Sequence, residues 1–176
     1  MDRGDSKTRF ADVVIPHLDD ACSLARWITG NRADAEDVVQ EACLRAYRGI
    51  GGFRGENGRA WTLAIVRNAA YDWLRKNRSS AVVHVDDLEA VEHFADDAAL
   101  KGNDPEAALI ARADEARLEA AIASLPTIFR ETLVLRDVQG LDYREIAAIT
   151  NVPIGTVMSR LARGRRRLIA MLGVDR

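Results

Sequence analysis

At 176 residues, with alanine and aliphatic residues abundant, 6% aromatics and 30% charged side chains, the chain has the composition of a soluble, helix-rich protein of one medium domain or two small ones. No apolar run approaches the roughly 20 residues that cross a bilayer, and the polar start MDRGDSKTRF lacks a signal-peptide core, so a cytoplasmic protein without membrane insertion is expected. The net charge of -2 hides a division: residues 1–80 carry 13 basic and 11 acidic side chains, residues 81–104 one lysine and seven acids, and residues 105–176 11 basic and nine acidic.

The first block reads as helices. Phe10, Val13, Val14, Leu18, Ala21, Cys22, Leu24, Ala25 and Ile28 recur at helical spacing, with Pro16 interrupting or bending the pattern. Gly30-Asn31 ends that element. Asn31 or Asp34 can cap the next helix, whose first turn holds Asp34, Glu36 and Asp37, where the helix dipole favours acids. It runs to about Ile50, with Val38, Val39, Ala42, Leu44 and Tyr47 as inward candidates. The glycine-rich loop GGFRGENGR follows. A third helix is predicted from about Ala60 to Asn77, with Trp61, Ala64, Ile65, Ala69, Trp73 and Leu74 as its apolar face.

The middle segment, AVVHVDDLEAVEHFADDAALKGND, has weak periodicity and ends in a Gly-Asn-Asp-Pro breaker. It reads as a flexible acidic linker over 81–104, in which Leu88, Val91 and Phe94 could form a transient turn. The last block starts a helix at Pro105, breaks at Leu125-Pro126 and continues from Thr127 to Val138. Gly140 suits a left-handed cap. Asp142 caps a short helix, Tyr143 to Thr150, and after the turn Asn151-Val152-Pro153 a basic helix runs from Ile154 to about Leu172.

No catalytic constellation stands out. Cys22 and Cys43 form no CxxC pair and read as free, packed thiols. His17, His84 and His93 are scattered, no Cys/His group has metal-ligand spacing, and there is no phosphate loop or nucleophile motif. A protein that is not an enzyme, with no cofactor and no metal, is expected.

The short helix, tight turn and second helix of the last block form a helix-turn-helix. Ile146, Ala147 and Ile149 can pack against Val152, Val157 and Leu161, leaving Gly155, Thr156, Met158, Ser159, Arg160, Ala162 and Arg163 on the other face. In DNA-binding versions the N-terminal half of the second helix enters the major groove. Arginines there can read guanine, hydroxyls can bind base or phosphate, and Arg165 to Arg167, one turn on, suit backbone contacts.

The segment LPTIFRETLVLRDVQGLDYREIAAITNVPIGTVMSRLARGRRRL resembles region 4 of bacterial sigma factors of the extracytoplasmic-function (ECF) group of the sigma-70 family. It does so through Leu125-Pro126, Arg130-Glu131, Gly140-Leu141, Tyr143, Glu145-Ile146-Ala147, Gly155-Thr156-Val157 and Ser159-Arg160. DAEDVVQEACLRAYRGI and RAWTLAIVRNAAYDWLRKNR resemble the polymerase-docking helix and the −10-element helix of region 2. The resemblance covers about residues 10–80 and 105–172, with no region 1.1 and no folded region 3 between them. It implies an all-α fold of two small helical domains, region 2 over 8–80 and a region 4 helix-turn-helix over 105–174, joined by the acidic linker.

The implied function is promoter-specific transcription initiation, as in stress responses, by a subunit that binds core RNA polymerase through the β′ clamp helices and β flap. Promoter DNA and an anti-sigma factor are the other implied partners. Asp34, Glu36, Asp37, Gln40 and Glu41 are the implied polymerase-binding residues. Phe53, Arg54, Arg59, Arg67, Asn68, Arg75 and Arg78 are implied for the −10 element, Asn68 at a base edge and the arginines at phosphates. Thr156, Met158, Ser159, Arg160, Arg163 and Arg166 are implied for the −35 element. Many relatives carry a basic residue where Met158 sits and a larger one at Ala162, which bears on base preference. Trp61 and Trp73 stand between core packing and base stacking, their spacing favouring the core. The alternatives are an operator-binding regulator and an anti-sigma-binding decoy. The region 2 resemblance argues against the first, and the basic residues of both DNA-facing helices against the second.

Overall fold

The computed structural model describes residues 3–78 and 105–173, and the side chains of 5–77 and 112–173. The segment read as an acidic linker lies outside the described residues, as do the side chain of Arg78 and the structure of His84 and His93.

Every regular element among the described residues is helical, as the periodicity predicts. Helix α1 spans Arg3–Val13 and passes through a 3₁₀ turn, Ile15–His17, into α2, Leu18–Thr29. Pro16 sits at the start of that turn, so the interruption is a change of helix type rather than a loop. Gly30 closes α2 with φ 92°, a conformation that favours glycine. Asn31, not Asp34, caps α3 (Arg32–Gly49), its side chain accepting from the Asp34 amide at 2.8 Å. A second 3₁₀ turn, Ile50–Gly52, leads through the glycine-rich loop to α4, Gly58–Arg78.

Helices α2, α3 and α4 pack on one another. Their shared core holds Ala21, Leu24, Ala25, Ile28, Val38, Ala42, Leu63, Val66 and Ala70. Two faces differ from the sequence expectation. On α3, Leu44 is 53% exposed and Tyr47 43%, although both have inward chemistry. The small stripe Ala35, Val38, Val39, Ala42 and Ala46 faces the core instead, because alanines let the helices approach closely. On α4 the buried stripe is Thr62, Leu63, Val66, Ala69 and Ala70. Trp61 and Ile65 are only partly buried, so the predicted face is rotated by about one position.

In the second half α5 is Pro105–Ala123, α6 Thr127–Leu133, α7 Tyr143–Thr150 and α8 Ile154–Leu172. Helix α6 runs on as a π turn, Val134–Val138, closed by the Gln139 amide on the Val134 carbonyl at 2.9 Å. Gly140, with φ 71°, then turns the chain. Asp142 and Glu145 form a capping box on α7: Asp142 accepts from the Arg144 and Glu145 amides, and Glu145 accepts from the Asp142 amide. Asn151 supplies the left-handed residue of the helix-turn-helix (φ 53°). Helix α8 buries Val157, Leu161 and Gly164.

The two halves also touch. Helix α4 packs on α7 and α2 on α6, so Leu133, Val134, Leu135 and Ile146 belong to one continuous core with Leu24 and Leu63. Gly164 marks the tightest crossing of α8 over α6: a Cβ there would lie 2.9 Å from Leu133 Cδ1 and 3.5 Å from Phe129 Cβ. Gly164→Val is therefore expected to overpack this crossing and lower unfolding free energy by about 1–3 kcal/mol, measured by chemical denaturation; unchanged stability would show that the crossing tolerates added volume.

Candidate nucleic-acid interface

The five arginines between 160 and 167 divide into two sets. Arg165 makes a forked pair with Asp137, at 2.6 and 3.2 Å, and that contact raises its pKa. The Arg167 guanidinium lies 4.9 Å from the centre of the Phe129 ring. Arg160 turns inward to the Glu131 carboxylate at 3.5 Å. These three fasten α8 to α6 and its extension. Arg163 and Arg166 are exposed and make no ion pair with another described residue.

Beside them Met158 is 53% exposed and Ile154 41%. Ser159 is exposed, and its hydroxyl donates to the Thr156 carbonyl at 3.0 Å. Gly155 has no atom within 4 Å of where a Cβ would stand. The solvent face of α8 thus gathers Thr156, Met158, Ser159, Arg163 and Arg166. Arg160 stands apart from them.

Glu131 is fully buried (0% exposed). Its Oε2 and Oε1 accept from Arg67 Nε at 2.9 Å and Arg67 Nη2 at 3.2 Å. Arg67 comes from α4, so this is a bidentate, charge-assisted contact between the two halves. Burial acts to lower the Arg67 pKa, but the hydrogen bonds and charge of Glu131 outweigh it and the net shift is upward. The guanidinium also covers the Tyr71 ring at 4.4 Å. Burial, then the Glu131 charge, pushes the Tyr71 hydroxyl pKa up. Three more polar contacts join the halves. Arg59 donates to the Gln139 carbonyl at 2.7 Å, Gln139 Nε2 to the Asp20 carbonyl at 2.8 Å, and Asn57 Nδ2 to Glu145 at 2.8 Å.

The residues implied for the −10 element therefore fall on different faces. Arg59, also bound to Asp20 at 2.6 Å, and Arg67 face the second half. Asn68 is exposed and borders a cleft of about 430 Å³ lined by Arg45, Gly49, Gly52, Trp61, Ile65 and Asn68. Phe53 flanks it, its ring centre 4.9 Å from that of Trp61, while the Phe53 carbonyl accepts from Arg9. Arg54 is exposed on the loop, and Arg75 pairs with Asp72 on α4 itself. Sequence reasoning missed Arg45. It reaches from α3 to Asp72 on α4 at 2.7 Å, and nothing in its helical neighbourhood marks it as a cleft residue. Glu131 stands in the Arg130-Glu131 motif, which by itself assigns it no role. Its signal was an acid set among Phe129, Thr132, Leu133 and Val134.

On α3, Glu36, Asp37, Gln40 and Glu41 are exposed, whereas Asp34 is half-buried in the cap contact with Asn31. Glu36 pairs with Arg32 at 2.9 Å and Glu41 with Arg45 at 2.8 Å. The hydrogen bond from Arg45 holds the Glu41 carboxyl below its ordinary pKa. Asp37, Gln40, Leu44 and Tyr47 are spaced three and four apart, so acids, amide and exposed apolar groups share one face.

Two family profiles match the chain: Sigma-70 region 2 over residues 13–80 and Sigma-70, region 4 over residues 115–168. The ECF RNA polymerase sigma-E factor of Escherichia coli K12 is 36% identical over 172 residues, which cover 96% of this chain and 88% of that protein. ECF RNA polymerase sigma factor SigE of Mycolicibacterium smegmatis is 34% identical over 157 residues, 89% of this chain; the match spans 59% of that longer protein. Among solved structures, the sigma factor RpoE of Bartonella quintana, in complex with the anti-sigma factor NepR, is similar with a TM-score of 0.71 and 29% identity over 92% of this chain and 95% of its own. Either half of the present chain is less than half its length, so a score of that size requires both halves to superpose together.

Replacing Glu131 leaves two half-buried guanidiniums without their carboxylate. Glu131→Ala is expected to lower stability by about 3–5 kcal/mol in a urea melt, and a loss below about 1 kcal/mol would place this pair among the weak surface ion pairs.

Proposed function

The chain belongs to the ECF RNA polymerase sigma factors of the sigma-70 family, and on that premise we propose how its surfaces divide the work of promoter-specific initiation. The observation that carries the reading is the solvent face of α8. Two exposed arginines, the Met158 side chain and an open glycine stand there, while the helix is fastened behind by Arg160, Arg165 and Arg167. A helix held this way can enter the major groove as a rigid body. Arg163 and Arg166 reach base edges or phosphates of the −35 element. Met158 offers an apolar contact, suited to a thymine methyl group.

The cleft between α3, the Ile50–Gly52 turn and α4 suits one unstacked base of the −10 element. The Trp61 ring provides a stacking wall, the Asn68 amide offers both a donor and an acceptor, and Arg45 is a cation at the rim. Gly49 and Gly52 keep the wall low. Arg54 and Arg75 lie where they can hold the flanking phosphates. Core RNA polymerase docks on the α3 face. Asp37, Gln40 and Glu41 meet basic groups of the β′ clamp helices there, and Leu44 and Tyr47 add the apolar contact. The second half, over 105–174, meets the β flap. An anti-sigma factor controls the chain, as the NepR complex of the Bartonella relative suggests.

Transcription in vitro with purified core polymerase on a promoter library tests this reading. Specific start sites that depend on the added chain support it; their absence, despite binding to core, counts against it. Arg163→Ala with Arg166→Ala is expected to reduce −35-dependent initiation by tenfold or more, each specific contact being worth about 1–3 kcal/mol, with core affinity unchanged. Asn68→Ala should slow promoter opening with −35 binding intact. Asp37→Arg should weaken core binding first, and an equal loss of every activity in these variants would refute the assignment of surfaces.

A further inference from the structure

The cleft read as the −10 base site adjoins a short loop with no regular structure of its own. Phe53 to Asn57 connect the Ile50–Gly52 turn to α4, and Arg54, Gly55, Glu56 and Asn57 are exposed. Glycines at 51, 52, 55 and 58 give such a segment many conformations to lose on folding. A loop of this composition presents one shape to a ligand when something outside it holds its backbone.

The hold comes from α1. Arg9 donates from Nη2 to the Phe53 carbonyl. Phe53 is where the chain leaves the helical region, with ψ 118°, so that carbonyl has no helical partner. The Phe53 amide is bound to the Ile50 carbonyl at 3.1 Å, and its ring centre lies 4.9 Å from that of Trp61. A Cβ added at Gly55 would stand 3.4 Å from Phe53 Cε2, so the loop folds over the Phe53 ring. Helix α1 is itself fixed. The Phe10 ring meets Tyr47 of α3 edge-on at 5.6 Å, and a Cβ on Gly58 would lie 3.0 Å from the Val13 carbonyl oxygen. Helix α1 therefore touches both ends of the loop, Phe53 through Arg9 and Gly58 through Val13.

We infer that Arg9 is a positioning residue for −10 recognition: by holding the Phe53 carbonyl it fixes the Phe53–Trp61 wall of the cleft and so sharpens the choice of base. A guanidinium on a carbonyl makes a charge-assisted hydrogen bond, stronger than one between neutral groups. Fixing that oxygen sets the plane of the Phe53–Arg54 peptide. It thereby sets where the Phe53 ring meets Trp61 and where Arg54 leaves the loop. Arg9 does not touch the base; it acts through Phe53 and Trp61. Without the anchor the loop samples several positions and the wall shifts with it, and a site held loosely by its supporting residues loses discrimination. The role rests on the reading of the cleft as the base site. The hold on the loop does not, so a measurement on the loop alone separates the two.

Two variants of the full chain test this. Arg9→Met keeps an apolar stem and removes the donors, and Arg9→Lys restores a charged donor. Limited trypsin digestion reports on the loop by itself. Cleavage after Arg54 should be about tenfold faster in Arg9→Met, the size of one charge-assisted hydrogen bond, and closer to native in Arg9→Lys. Promoter opening with core RNA polymerase, on templates carrying each base in turn at every −10 position, reports on the cleft. Arg9→Met should lower the preference for the best base at one position by about tenfold, with core affinity, −35 binding and helical circular dichroism native. Arg9→Lys should recover most of that preference. Native cleavage at Arg54 in Arg9→Met, or a loosened loop that keeps the native base preference, overturns the role. A general loss of fold in both variants, with cleavage at many sites, overturns it as well. Asn68→Ala on the same templates keeps the underlying reading separate. If it loses the preference while Arg9→Met does not, the cleft stands without Arg9; if neither loses it, the cleft is not the base site.

Discussion

Glu131 carries its carboxylate at a position with no exposed surface, where an isolated charge is penalised by several kcal/mol. The fold answers with two arginines from different places. Arg160 comes from α8 and Arg67 from α4, so one carboxylate orients the recognition helix within its own half and ties that half to the other. Replacing the triad with apolar side chains could give a protein at least as stable. What the ionic version supplies is geometry, a forked contact that fixes how α4 and α6 meet.

The same logic accounts for a strongly basic helix at the end of a mildly acidic chain. Between Arg160 and Arg167 the charge is not a uniform patch. Asp137, Glu131 and the Phe129 ring occupy three of the five guanidiniums, and Arg163 and Arg166 are left facing solvent. Fastening the back of the helix fixes where those two point, and specificity in groove recognition depends on that. A helix with five loose arginines would bind DNA of any sequence through its phosphates. The two outward arginines, with Met158 and Thr156, form a smaller and more directed surface.

Much of the fold was legible because helix boundaries are local. Pro16, Asn31, Gly140, Asp142 and Asn151 each carry their signal in their own chemistry, and each stands at a helix boundary or turn in the structure. Facing was less legible. Leu44 and Tyr47 have the chemistry of core residues, but the alanine-rich side of α3 packs inward because its neighbours come close there. Trp61 and Ile65 likewise border a cleft rather than the core. The α8 surface could be read because the helix-turn-helix period places Val157 and Leu161 inside. The contacts of Arg59, Arg67 and Gln139 could not, because their partners lie 39 to 119 residues away in sequence. The part of Arg45 in the cleft is set in the same way by how α3 meets α4. Such pairings depend on how helices are placed in space, which periodicity does not encode.

The Glu131 carboxylate, from its buried position, joins α4 to α6 through Arg67. The most direct measurement is a double-mutant cycle on that pair, Arg67→Ala and Glu131→Gln singly and together, read by urea denaturation. A coupling energy of about 1 kcal/mol or more is predicted, as for residues in one ionic network. Two losses that simply add, with a coupling near zero, would contradict a pairing on which the joining of the two halves depends.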